Sequence, residues 1–242
     1  MSAMVEFRNV SYRIGAKQIL SHLDLGVEAG ETLVLLGRSG SGKTTALKMV
    51  NGLILPTEGE VRVEGKTTTA WDLVRLRRRI GYVIQDVGLF PHFTVAQNIG
   101  LVPRLEAWEP QAIGQRVAEL LAMLDLPPQQ FLHRYPRELS GGQRQRIGVA
   151  RALAANQQVL LFDEPFGALD PVTRHEIQQQ FLRLSRTLGK TSIFVTHDPR
   201  EAMLLATRIA LLREGRLEVL DTPADFLAAR GEEAQAFRAC LG

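Results

Sequence analysis

Apolar and polar residues follow two different periods along this chain, and the change of period divides it. Over the first third they alternate. "VEFRNVSYR" and "LDLGVEAGE" read as strands, cut by Gly26 and Gly30. "TLVLLG" (32–37) is a short unbroken apolar run, the pattern of a strand buried on both faces. A helix is expected over about 42–51, a glycine-bracketed strand in "GEVRVEG", and a further strand in "RIGYVIQ" (79–85) that ends in a polar residue. From about 86 to 155 the period becomes helical, as in "QAIGQRVAELLAMLDL", with Pro127-Pro128 as a breaker. That pattern predicts a helical lobe inserted between strands. "QVLLFDEP" (158–165) and "TSIFVTHD" (191–198) return to buried strands, on either side of a long helix in "PVTRHEIQQQFLRLSRTLGK" that opens at Pro171. "RIALLREGRLEVL" reads as a hairpin turning at Glu214-Gly215. Strands alternating with helices predict a largely parallel sheet.

Composition adds bounds to this picture. With 242 residues, 45% of them hydrophobic, the chain can build one large α/β domain with a real core. No apolar run approaches the ~18–20 residues a membrane helix needs, and no signal peptide opens the chain. A single cysteine, Cys240, excludes a disulfide framework, fits a reducing compartment and reads as an inert residue near the end. The formal net charge is only +3. The densest basic cluster, "RLRRRI" (75–80), reads as a solvated helix face or a stretch near phosphates rather than a nucleic-acid patch.

Three motifs carry candidate chemistry. "GRSGSGKTT" (37–45) fits G-x4-G-K-[ST] through Gly37, Gly42, Lys43 and Thr44, after an apolar strand and before a helix. Its glycines let the backbone of Gly37, Arg38, Ser39, Gly40, Ser41, Gly42 and the following Thr45 turn N–H groups toward phosphates. Lys43 brings a point charge to the β and γ phosphates, and Thr44 offers a hydroxyl to Mg²⁺. "LLFDEP" supplies Asp163 at the end of a buried strand, placed to hold Mg²⁺ through water beside Thr44. Glu164 follows, placed to polarise an attacking water as general base. "LSGGQRQRIGVARAL" (139–153) looks like a second helix start with open N–H groups and a positive dipole end, which invites an anion.

With "LSGGQ" between the other two motifs, the chain resembles the ATP-binding subunits of ABC transporters over nearly its whole length. The resemblance implies an α/β fold: a P-loop NTPase core with a mostly parallel sheet, an N-terminal antiparallel β subdomain and an inserted helical lobe. It implies a single ABC ATPase domain over 1–242, with the core at about 1–85 and 156–242 and the lobe at about 86–155. Tyr12 matches the residue that stacks on adenine, Gln85 the glutamine near Mg²⁺ and the attacking water, and His197 the switch histidine at the γ-phosphate. Gly167, Ala168, Leu169 and Asp170 match the D-loop. A head-to-tail homodimer is implied, in which Ser140, Gly141, Gly142 and Gln143 of one copy face the γ-phosphate bound by 37–45 of the other. ATP and Mg²⁺ are the implied cofactors. The two anion-seeking helix starts then become two halves of one site.

"GYVIQDVGLFPHFTVAQNIGLVPRLEAW" and "LLREGRLEVLDTPADFL" are similar to the osmoprotectant importers for glycine betaine, choline and related quaternary amines. That likeness implies integral membrane permease subunits, an extracytoplasmic solute-binding protein acting indirectly, no nucleic acid, and a peripheral place on the cytoplasmic face of the inner or plasma membrane. The permease would dock on the segment after Gln85, where Phe90, Pro91, His92 and Phe93 make a shaped apolar surface. Asp86 stands where that branch is expected to carry an amide, and Arg38 where a small residue or proline is commoner. The chain ends at Gly242 without paired regulatory domains, which argues against ionic-strength sensing by this subunit. A soluble ABC ATPase of cofactor or iron–sulfur assembly, and an importer or exporter of another substrate, share every ATP motif. A chromosome-organising ATPase would need a long heptad insertion between Thr45 and Leu139, and a ribosome-associated one a second cassette; neither is visible.

Overall fold

The computed structural model describes residues 3–167 and 169–241. In chain order its elements are β1 (Val5–Ile14), β2 (Lys17–Val27), β3 (Thr32–Leu36), α1 (Lys43–Val50), β4 (Glu58–Val63), β5 (Lys66–Thr67), α2 (Leu73–Arg79) and β6 (Ile80–Val83). Then come α3 (Val95–Ile99), α4 (Leu101–Leu105), α5 (Pro110–Met123), α6 (Pro128–Phe131), α7 (Gly141–Leu153), β7 (Val159–Asp163) and α8 (Pro171–Leu188). The chain closes with β8 (Thr191–Thr196), α9 (Pro199–Leu205), β9 (Arg208–Arg213), β10 (Arg216–Asp221), α10 (Pro223–Phe226) and α11 (Glu232–Ala239). They form two compact units, Met1–Arg77 with Lys190–Gly242, and Arg78–Gly189.

The first unit holds two sheets. β1 pairs antiparallel with β2 and with β4, and β4 with β5, which makes the N-terminal antiparallel sheet. Beside it stand β10, β9, β3 and β8 in that order, with β3 parallel to both β8 and β9. Every residue of β3 and β8 is buried, as the apolar runs 33–36 and 193–195 require of strands covered on both faces. The β9–β10 hairpin turns where expected. Glu214 (φ 48°) and Gly215 (φ 77°) are both left-handed, the two-residue turn whose twist matches its strands. Gly215 is also pressed against the first sheet: its carbonyl accepts from Ser21 N at 2.9 Å, and a β-carbon there would stand 2.3 Å from the Ile19 carbonyl oxygen. The basic cluster is used structurally in this unit, since Arg77 donates to the Asn51 and Gly52 carbonyls at the end of α1.

The second unit is built on α7, against which β6, α3, α5 and α8 pack. It is wider than the helical stretch of 86–155, because it also takes in the parallel pair β6–β7 and α8. Two local expectations are corrected. The strand expected over 79–85 stops at Val83, and the helical period expected from about 86 starts only at Val95. Val87 (φ 49°) and Gly88 (φ 58°) are left-handed, which no helix can contain. The buried Asn98 side chain then holds the following loop: its Oδ1 accepts from Phe90 N at 2.8 Å, and its Nδ2 donates to the Phe90, Phe93 and Thr94 carbonyls at 3.2, 3.1 and 3.0 Å. Thr94 caps α3 through a reciprocal box with Gln97. The long helix runs as read, from Pro171 after an Asp170 cap to a left-handed Gly189.

Gly81 sets how closely β6 approaches α7, because a β-carbon on it would lie 2.3 Å from the Ala152 carbonyl oxygen and 2.7 Å from Leu160 Cδ2. Gly81→Ala is therefore expected to lower stability by about 1–3 kcal/mol, the usual cost of overpacking. Urea denaturation checks it, and an unchanged midpoint would show that α7 can move aside.

Candidate nucleotide site

The phosphate loop leaves β3 at Leu36 and folds back on itself before α1. Gly37 (φ 154°) has no room for a side chain, since a β-carbon would meet the Leu212 carbonyl at 2.4 Å and Ser41 Oγ at 2.7 Å. Gly42 (φ 99°) is the left-handed N-cap of α1, and a β-carbon there would meet Leu20 Cδ2 at 2.6 Å. Between them Arg38, Ser39 and Gly40 are exposed, Ser41 is buried, and Thr44 and Thr45 are half-buried on the first turn of α1. The Lys43 side chain lies inside the curl. Its Nζ donates to the Gly37 carbonyl at 2.7 Å and to the Arg38 carbonyl at 2.8 Å. Gly42 gives α1 no side-chain cap and the first turn has no acid, so the dipole end stays positive. Ser41 Oγ is buried with no hydrogen-bond partner. An orphan donor, a cationic side chain and a cradle that any β-carbon would fill suit a bound phosphate chain.

Tyr12 and His197 belong to the same unit. Tyr12 is half-buried on β1 opposite Leu20, the residue that closes on Gly42. His197 is exposed just after β8. Its turn is fixed by Thr196, whose hydroxyl donates to Glu201 Oε2 at 2.6 Å and accepts from Asp198 N at 3.0 Å. His197 shares a cavity of about 380 Å³ with Arg38 and Ser39, so the structure brings the histidine to the phosphate loop.

The carboxylates and the second glycine motif lie in the other unit. Asp163 and Glu164 are half-buried at the end of β7, and Glu164 is left-handed (φ 47°). That turn reverses the chain, and Gly167 N donates to the Glu164 carbonyl at 3.2 Å. Gln85 is exposed beyond β6, and a β-carbon on Gly167 would stand 3.6 Å from its Nε2, so the glutamine and the D-loop are neighbours. Ala168 of that loop lies outside the described residues. Among the described residues no group of three or more His, Cys, Asp or Glu could hold a metal. The Asp163 carboxylate is an oxygen donor of the kind Mg²⁺ takes, an ion that keeps several waters of its own.

The helix start at Ser140 is less open than its sequence implied. Ser140 Oγ accepts from Gln143 N at 3.2 Å, and Gln143 Oε1 accepts from Ser140 N at 2.9 Å. This capping box occupies two donors that the anion reading would use. Gly141 is exposed, while Gly142 is buried where a β-carbon would meet Thr173 Cγ2 at 2.5 Å.

Two residues not singled out from sequence support the site. Tyr82 faces Leu161 across β6–β7, so its side chain shares a face with Asp163 two residues on. Its hydroxyl donates to Asp163 Oδ2 at 3.3 Å. Burial, then the adjacent carboxylate, push the phenol well above its usual pKa, so it stays a donor. On α7, Arg151 donates to the Val87 carbonyl at 2.6 Å and the Gly88 carbonyl at 2.7 Å, which ties the loop after Gln85 to the helix that begins at Ser140. Desolvation lowers the guanidinium pKa without discharging it.

Known proteins resemble this chain over most of its length. The ABC transporter family model matches residues 20–167. The carnitine transport ATP-binding protein OpuCA of Listeria monocytogenes is 51% identical over 226 residues, 93% of this chain and 56% of that protein. The osmoprotectant import ATP-binding protein OsmV of Salmonella typhimurium is 48% identical over 235 residues, 95% of this chain and 62% of that protein. The chain thus spans well under two thirds of the length of these two relatives. Among solved structures, a dimer of the ATP-binding cassette MJ0796 in a post-hydrolysis state bound to ADP and Pi superposes with a TM-score of 0.80 at 36% identity, covering 94% of this chain and all of that one.

The capping box makes a prediction of its own. Ser140→Ala is expected to lower stability by about 0.5–2 kcal/mol, and Ser140→Gly by only a few tenths. Equal urea midpoints for Ser140→Ala and the natural protein would show that the box contributes nothing.

Proposed function

This chain belongs to the ABC transporter family, and from that premise we propose that it binds and hydrolyses ATP to power a membrane importer of quaternary-amine osmolytes. The observation that carries the ATP reading is the loop from Gly37 to Thr44, curled around the Lys43 ammonium. In this reading ATP draws Lys43 from the two carbonyls to its β and γ phosphates. The backbone N–H groups of 38–45 cradle the phosphate chain, and Tyr12 stacks on adenine. Thr44, Asp163 and Gln85 would hold Mg²⁺, which when bound neutralises charge on the phosphate oxygens. Tyr82 keeps the Asp163 carboxylate oriented by its hydrogen bond. Glu164 accepts the proton of the attacking water as its oxygen bonds to the γ-phosphorus and the β–γ bridge breaks. His197 donates a hydrogen bond to the γ-phosphate, which leaves as Pi.

A second copy completes the site. Ser140, Gly141, Gly142 and Gln143 of the partner face the γ-phosphate, so ATP favours the closed homodimer and hydrolysis releases it. The dimeric state of the cassette bound to ADP and Pi supports this reading. Among the described residues no helix is long and apolar enough to cross a membrane. The reading assigns passage to permease subunits, with a solute-binding protein outside and this chain on the cytoplasmic face. A groove of about 410 Å³, lined by Phe93, Ala96, Leu101, Trp108 and Ile113, supports docking at the segment after Gln85. The cargo class is supported by the names of relatives such as the carnitine and osmoprotectant ATP-binding proteins.

Two experiments test the reading at different levels. Glu164→Gln is expected to elute as a dimer in ATP by size-exclusion chromatography, and the Glu164→Gln, Ser140→Arg double variant as a monomer. An ATP dimer of the double variant overturns the in-trans role. For the cargo, deletion of the gene is expected to abolish uptake of labelled glycine betaine or choline under osmotic stress and spare an unrelated amino acid. Loss of amino-acid uptake alone sinks the osmolyte assignment and leaves the ATPase standing.

A further inference from the structure

We propose that Glu233, on α11, is a positioning residue for the phosphate loop and acts through Arg38; the proposal rests on the ATP reading above. Arg38 Nε lies 2.7 Å from Glu233 Oε1. The two partners are unequal: the Arg38 side chain is 71% exposed and that of Glu233 only 7%. An exposed pair of this kind contributes little. A buried carboxylate is different, because removing its partner leaves it without compensation away from water. Glu233 therefore dictates where Arg38 points.

Arg38 is also tied at its other end. Its carbonyl accepts from Lys43 Nζ at 2.8 Å and from Ser41 N at 3.2 Å. One residue thus joins α11 on its side-chain end to the phosphate-binding lysine on its main-chain end. The helix itself is well anchored. Ala234 and Phe237 are buried, Glu232 bonds Arg213 at 3.0 Å, and Glu218 sits against Gly231 at the start of α11. Glu232 and Glu233 fill its first turn, where the dipole favours acids. A cavity of about 390 Å³ between Arg38, Ser39, Arg213 and Glu233 separates the loop from α11, so this ion pair spans the gap between them. Docking of α11 and nucleotide binding are then coupled, and coupling in binding is reciprocal.

The test measures binding of a fluorescent, non-hydrolysable ATP analogue to the whole chain, with saturating ATP turnover measured alongside. Glu233→Gln is expected to weaken binding by about three- to tenfold, the scale of a half-buried ion pair, while turnover at saturation stays at the natural level. Glu233→Asp should recover part of the loss. The Arg38→Ala, Glu233→Gln double variant leaves no buried charge without a partner, and it is expected to bind no more weakly than Glu233→Gln, since both break one link. In the natural protein the analogue should slow amide exchange across residues 232–239, and in the double variant it should not. Natural affinity in a folded Glu233→Gln protein, or weaker binding by the double variant than by Glu233→Gln, overturns the proposal. Lys43→Ala separates the two levels. If it binds the analogue normally, the ATP reading itself fails; if it loses binding while Glu233→Gln does not, only the positioning role fails.

Discussion

A buried ammonium organises this molecule's chemistry. Lys43 is only 4% exposed, and a charge in that position must be bonded. It is bonded to the Gly37 and Arg38 carbonyls, which turns both of them in toward the lysine. The curl is possible only where side chains are absent, at Gly37 against Leu212 and at Gly42 against Leu20. Those walls come from β9 and β2, one from each sheet of the unit. The β9–β10 turn closes the arrangement, with Gly215 N donating to the Ser41 carbonyl at 3.2 Å and the Gly215 carbonyl accepting from Ser21 N at 2.9 Å. Both sheets thus meet at one loop. Lys43 is held by the two carbonyls, and moving it to a phosphate exchanges one set of acceptors for another.

Much of this could be seen in the sequence, because the strongest signals are local. The apolar runs 33–36, 159–162 and 193–195 gave β3, β7 and β8 their buried places, and Glu214-Gly215 and Pro171 marked a hairpin and a helix start that the structure contains. What sequence periodicity missed depends on side chains reaching back to the main chain. Helical periodicity could not show that Asn98 holds 90–94 in a loop, so the first helix of that region starts later than expected. The Ser140 box was there to be read, since Ser-x-x-Gln is its pattern, but the glycines after Ser140 drew attention to an open start instead. Tyr82 carried no motif, and Arg38 stands at a variable position of one. Tyr82 could be found by strand alternation once the β6–β7 register was known. Arg38 stood out only as an unusual residue in a familiar loop, and its partner Glu233 is 195 positions away.

The ATP chemistry and the cargo rest on different parts of the chain. The loop, Tyr12, Asp163, Glu164 and His197 would serve any transported substrate equally well. In the proposed function the cargo bears only on the surface after Gln85, where Phe90 is 40% exposed beside His92 and Phe93. Arg151 links that surface to α7 by two carbonyl bonds, and α7 begins at Ser140.

Glu164 is the residue on which the proposed hydrolysis of ATP turns, as its general base. Release of inorganic phosphate from saturating Mg²⁺-ATP by the natural protein and by Glu164→Gln tests it most directly. Steady turnover is expected from the first and a loss of ~10²–10⁴-fold in the second, the scale of removing a general base. Turnover by Glu164→Gln at the natural rate would contradict it.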